Sequence, residues 1–166
     1  MEKIGRFVSY VRANVSEAER VELATLLTPE QLALFEAMPR PDRRHGLDVA
    51  AALRRAGHGN DRELTLAGIL HDAGKGPSVR LWHRVAWSLG QRYGRWVVGV
   101  ARVAPGARPV FERLERHPQI SAELALAAGA PARTVELIRG QADPRDPAAL
   151  ALHLADEGEP AEEARR

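Results

Sequence analysis

Helix-start and helix-stop signals recur at short intervals along this chain, and they constrain its fold more than any other feature. Ser16-Glu17-Ala18-Glu19 is a capping box, in which the serine oxygen accepts from first-turn amides and the glutamate reaches back. Thr28-Pro29-Glu30-Gln31 repeats the pattern with proline at the first helical position. Asp42, Asn60-Asp61, Pro118 and Pro131 open further segments, and Gly57, Gly74, Gly129 and Gly140 close them. No run of alternating β-branched residues bounded by turns stands out. The spacing therefore predicts an all-α fold, a compact helical bundle.

Residues 1 to 15 carry Ile4, Phe7, Val8 and Val11 at helical spacing and read as a short helix or docked arm. The next two helices present Val21, Ala24 and Leu27, then Leu32, Leu34, Phe35 and Met38, and stop at a Pro39-Arg40-Pro41 turn. Asp42 is read as the cap of a helix from about Arg43 to Ala56, with His45, Val49, Ala52, Leu53 and Ala56 facing inward. A fourth helix puts Leu64, Ala67, Leu70 and His71 on one face. Leu81, Val85, Trp87 and Leu89 form the expected core stripe of the next, and Trp96, Val97 and Val100 that of another. Pro105 to Pro109 reads as a loop; three more helices follow, the last carrying Ala149, Leu152, His153 and Asp156.

A length of 166 residues suits one domain with a real hydrophobic core. Residues 1–42 read as an N-terminal helical segment packed on the core, 43–157 as the main domain and 158–166 as a disordered tail poor in apolar residues. No stretch approaches the length that spans a bilayer and the N-terminus has no uninterrupted apolar core, so the expected location is cytoplasmic.

Absence of cysteine removes disulfides, thiolate metal sites and thiol nucleophiles, so a bound metal must be held by histidines and carboxylates. From Ala73 to Phe111 the chain has seven Lys or Arg and no Asp or Glu, although its overall formal charge is only +2. A basic block inside a chain otherwise net acidic implies an anionic partner at that surface. Three readings of its arginines and tryptophans stand: core helices with outward-reaching arginines, a basic rim for phosphorylated substrate, or a surface for single-stranded nucleic acid or anionic lipid.

Leu70-His71-Asp72-Ala73-Gly74-Lys75 concentrates the chemistry. Two metal-capable side chains, a sharp turn and a phosphate-seeking cation fall within one short stretch. His71 and Asp72 would point about 100° apart on a regular helix, but at a final turn before glycine both can reach one ion. His45 comes inward from an earlier helix and Asp156 from the last. A His, His, Asp, Asp set of this kind suits Fe, Mn, Zn, Co, Ni or Mg with positions left for water. Neither a nucleophile elbow nor a phosphate-binding glycine loop is present.

His45, then HDAGK at His71 to Lys75, then Asp156 behind an apolar helix, resembles the HD superfamily of metal-dependent phosphohydrolases, over about Arg43 to Glu157. The resemblance implies His45, His71, Asp72 and Asp156 as metal ligands, with Asp72 able to bridge two ions, and Lys75 as a phosphate-binding cation. Arg116-His117-Pro118 through Glu123 is similar to the segment that supplies a second-metal histidine in binuclear branches, making His117 a second-site or substrate-contact candidate. Those branches carry another histidine where this chain reads Leu137-Ile138-Arg139-Gly140-Gln141. The expectation is one tightly held divalent ion that activates water for attack on a small phosphorylated substrate such as a nucleotide. Asp48, one turn after His45, either orients that water or is a surface ion-pair residue. His58 and His83 are expected at the surface and His153 as a partly buried structural residue. A second functional class, a non-catalytic binding or regulatory module that keeps the metal for stability, fits the same residues. The sequence does not specify an oligomeric state.

Overall fold

The computed structural model describes residues 15–140 and 145–158, and every regular element within them is helical. In chain order these are α1 (Glu17–Leu26), α2 (Pro29–Ala37), α3 (Arg40–Leu53), α4 (Arg62–Leu70), α5 (Leu81–Tyr93), α6 (Trp96–Ala101), α7 (Ala107–Glu115), α8 (His117–Ala127), α9 (Ala132–Arg139) and α10 (Pro147–Glu157). A wide π-helical turn, Arg54–His58, follows α3. None of these helices is long and apolar enough to cross a membrane. The segment expected around Ile4 to Val11, Gln141 and the tail beyond Gly158 lie outside the described residues.

The bundle is built around α4, whose residues from Leu64 through Leu70 are all buried. A helix apolar on every side must be surrounded, and α3, α9 and α10 pack against it. Asp61 caps it, accepting from the Leu64 amide at 3.0 Å, as its sequence signal predicts. The main core joins Leu23 and Leu27 of the first hairpin, Phe35, Val49, Leu53, Ile69, Ile138 and Leu152. Both capping boxes form as read.

Two glycines let α3 approach α4 to backbone contact. A Cβ on Gly46 would lie 2.5 Å from the Ile69 carbonyl oxygen, and one on Gly68 would lie 3.0 Å from a Leu53 methyl. This crossing sets His45 beside His71.

A second, smaller core forms under α5, α6 and α7 from Val79, Val98, Ala107, Phe111 and Leu114. It is tied to the main bundle by polar links. Arg84 of α5 makes a two-pronged pair with the buried carboxylate of Asp42, Nη2 to Oδ2 being 2.7 Å. Arg113 of α7 donates from Nε to the Gly74 and Lys75 carbonyls at 2.8 and 3.0 Å.

Several local expectations are corrected. In α1 Val21 is 61% exposed and Leu23 takes its inward place, so the helix is rotated relative to the expected stripe. α3 begins at Arg40, with both prolines accommodated at its start, where no intrahelical N–H partner is needed. Asp42 is therefore not its cap but a buried first-turn residue held by Arg84. α7 starts at Ala107 inside the expected loop, because Pro109 falls in a first turn that tolerates its missing donor. In α5 the expected stripe is split: Trp87 packs on the smaller core as expected, but Leu81, Val85 and Leu89 face outward, and His83, expected at the surface, is 5% exposed. Its Nδ1 accepts from the Arg80 amide at 3.1 Å and its ring lies edge-on to Phe111. Trp96 and Val100 of α6 are exposed as well, and Val98 is the buried residue.

Candidate metal centre

Each candidate residue is delivered by a helix end or a helix face fixed by the core. His71 and Asp72 follow directly on α4, whose burial carries them inside: His71 is 0% and Asp72 1% exposed. The turn after them is pinned, for Gly74 donates its amide to the buried Ser121 hydroxyl at 2.8 Å. A Cβ on Gly74 would meet the His117 carbonyl oxygen at 2.4 Å, so only glycine permits α8 to come this close. His45 arrives from α3 and Asp156 from α10, each partly buried.

His45, His71 and Asp156 form a group whose ligand atoms lie within 4.8 Å of one another and can hold a metal ion. His45 Nε2 is 2.5 Å from Asp156 Oδ1, and His71 Nε2 is 3.4 Å from the same oxygen. Asp72 borders this group, with Oδ1 3.5 Å from His71 Nε2 and Oδ2 3.9 Å from His45 Nε2. His117 Nε2 stands 3.7 Å from Asp72 Oδ1 on the side of α8.

Ring orientation gives the donor set its character. His71 donates from Nδ1 to the Gly68 carbonyl at 2.9 Å, and His117 from Nδ1 to the Leu114 carbonyl at 2.7 Å. In the neutral ring each Nε2 then carries a lone pair directed at the carboxylates. His71 Nε2 and Asp72 Oδ1 are both buried and neither has a hydrogen-bond partner. Two buried acceptors facing each other without a donor are expensive unless a cation lies between them. The residues present thus fit a divalent ion with nitrogen and oxygen ligands.

Burial alone would discharge His71, but Asp72 and Asp156 overcome it and lift its pKa to about 9, so an ion binding at Nε2 displaces a proton from the ring. Burial also opposes ionisation of Asp72 and Asp156, yet the neighbouring histidines, with Lys75 for Asp72, hold both well below the ordinary carboxylate range. Lys75 donates to Asp72 Oδ2 at 2.6 Å, and Asp72 keeps it charged despite burial. For His117 burial and the nearby Lys75 charge act together to depress the pKa, favouring the neutral ring.

His45, Asp72, Lys75 and Asp156 open on a cleft of about 300 Å³, behind which His71 is buried. Lys75, Arg44, Arg55 and Arg84 line it together with Asp48. Asp48 is 54% exposed and pairs with Arg44, whose Nε donates to its Oδ1 at 3.0 Å. His153 is half exposed, 3.9 Å from Glu157. Where binuclear branches of the resembled family carry another histidine, Leu137 and Ile138 are buried core residues.

Sequence reasoning missed the support beneath the site: the Asp42–Arg84 pair, the Gly74–Ser121 bond and the Arg113 clasp on the HDAGK turn. Their partners stand far apart in the chain, and no local signal links them. Comparison with known proteins found no family model, no curated protein and no solved structure that matches this chain.

Proposed function

We propose that this chain is a metal-dependent phosphohydrolase of the HD type acting on a nucleotide or another small phosphoester. The observation that carries the reading is the buried, unpartnered His71 Nε2 and Asp72 Oδ1 converging with His45 and Asp156. His45, His71, Asp72 and Asp156 would hold one divalent ion, drawn from Mn, Fe, Co, Ni, Zn or Mg. Bound there, such an ion supplies Lewis acidity toward a phosphoryl oxygen and makes water a nucleophile near neutral pH.

The chain's own residues do the rest. Lys75 satisfies one oxygen of Asp72 and leaves the other for the metal, and from the cleft lining its ammonium would donate to a phosphoryl oxygen. Asp48 at the cleft wall, steadied by Arg44, accepts a hydrogen bond from water approaching the phosphorus. The arginines of the lining attract the anionic substrate and orient it. His117 is a substrate contact or a ligand for a weaker second ion. The reading assigns the chain to the cytoplasm, where nucleotide substrates are at hand.

A second reading is a binding or regulatory module stabilised by the same metal. It is favoured by the apolar Leu137 and Ile138 in place of a further histidine and by the lack of an evident general acid. Metal analysis of purified protein and a phosphoester screen with Mn, Co, Ni and Mg, run beside Asp72→Ala, separate the two. Turnover lost in Asp72→Ala supports the hydrolase. Bound metal without turnover on any phosphoester supports the module, and absence of metal after reconstitution overturns both.

A further inference from the structure

Large apolar side chains are exposed mainly in one part of the molecule. Leu81, Trp82, Val85, Leu89 and Tyr93 form the outward face of α5, and Trp96, Val100 and Val103 continue it along and beyond α6, each between 41% and 83% exposed. Among the described residues only Val21 and Leu126 are comparable elsewhere. A contiguous apolar face of this kind marks a surface that meets something other than water. Arg80, Arg92 and Arg95 are exposed beside it, and no carboxylate occurs anywhere from Ala73 to Phe111.

We propose that the α5–α6 face docks on an anionic lipid surface. Charge selects the occupant: an amphipathic helix with an apolar face and an arginine rim lies in the headgroup region, its side chains in the acyl boundary and its cations on the phosphates. Trp82, Tyr93 and Trp96 are the residue types that prefer that boundary. Five of the eight side chains are aliphatic, which lipid accommodates and nucleic-acid bases do not stack on. A second copy of the chain would bring two basic rims together with only Glu115, already paired with Arg95 at 3.5 Å and with Arg102, to offset them. Lipid contact leaves the metal cleft open, because Arg84 turns from the same helix toward the cleft and the apolar residues turn away from it.

The test is sedimentation of the full chain with vesicles of phosphatidylcholine alone or mixed equally with phosphatidylglycerol. Wild type is expected to pellet with the mixed vesicles at low salt, with a blue shift of tryptophan emission, and to remain in solution with phosphatidylcholine alone. Val85→Glu with Leu89→Glu removes two exposed apolar contacts and should weaken partitioning roughly tenfold or more. Arg80→Glu with Arg92→Glu should weaken it while steepening nothing in the helical circular dichroism, which checks that both variants fold. No pelleting of wild type with mixed vesicles at low salt overturns the proposal, as does equal pelleting by Val85→Glu/Leu89→Glu. Single-stranded DNA binding or a dimer that this variant abolishes, without vesicle binding by wild type, assigns the face to another occupant and also overturns it.

Discussion

Asp72 bears two demands at once. One oxygen satisfies Lys75, and the other is buried with no donor, next to a histidine whose ring is turned to present a lone pair. A divalent ion answers that imbalance, so the folded state should bind it more tightly than the unfolded chain. Saturation at about a hundred times the dissociation constant adds about 2.7 kcal/mol of stability. Addition of Mn or Co to chelator-treated protein should therefore raise the thermal midpoint of wild type, and a chelator should lower it again. The same titration on Asp72→Ala should show little shift. A thermal midpoint indifferent to every divalent ion tested would count against the metal centre.

At the level of helices, two contacts are testable. Gly46→Ala drives a methyl against the Ile69 carbonyl, a backbone group with no freedom to move aside, so α3 and α4 must separate. The expected loss is about 1–3 kcal/mol in urea unfolding, with weakened metal affinity because His45 moves with the helix. Gly68→Ala meets side-chain methyls of Leu53 and Val49 instead and should be milder. Asp61 caps α4 and also receives Arg133 of α9 at 2.9 Å from both guanidinium nitrogens. Arg133, with the Leu64 amide, holds the Asp61 pKa below its ordinary value in spite of burial. A depressed folded pKa means stability present above the unfolded pKa of the carboxyl and lost as pH falls through the folded one. Asp61→Asn should thus unfold at lower urea than wild type near neutrality, by about 0.5–2 kcal/mol, with the gap closing in strong acid. A gap independent of pH would show that the ionised carboxylate is not what matters.

These helices also mark how far sequence reading reached. The caps at Ser16, Thr28 and Asp61 were legible because capping is local chemistry, settled within four residues. α4 was legible as a helix, but its burial on all sides was not separable from a one-sided stripe until α3, α9 and α10 surrounded it. In α5 the aliphatic Leu81, Val85 and Leu89 were read as the inward stripe, whereas His83, Ala86 and Trp87 are what pack on the smaller core.

Across the whole molecule, two cores of unequal size meet along polar seams. Asp42 is 1% exposed and its carboxylate is matched by Arg84 from a helix of the smaller core. Removal of one member leaves a buried charge, so Arg84→Met should cost about 3–5 kcal/mol and loosen α5 from the metal cleft. Hydrogen exchange should then rise across α5 and α6 before it rises in α4, because the smaller core has fewer buried residues to hold it. Uniform acceleration through all helices would show one cooperative unit instead.

The sequence by itself determined the helical class, most helix limits and the adjacency of His71, Asp72 and Lys75, all consequences of interactions within a turn or two of backbone. Only the tertiary structure decided which helix faces turn inward, that Asp42 is a buried partner of Arg84, and that His45 and Asp156 meet His71. A period of 3.6 residues fixes which side chains share a face; which face is covered depends on neighbours supplied from elsewhere in the chain.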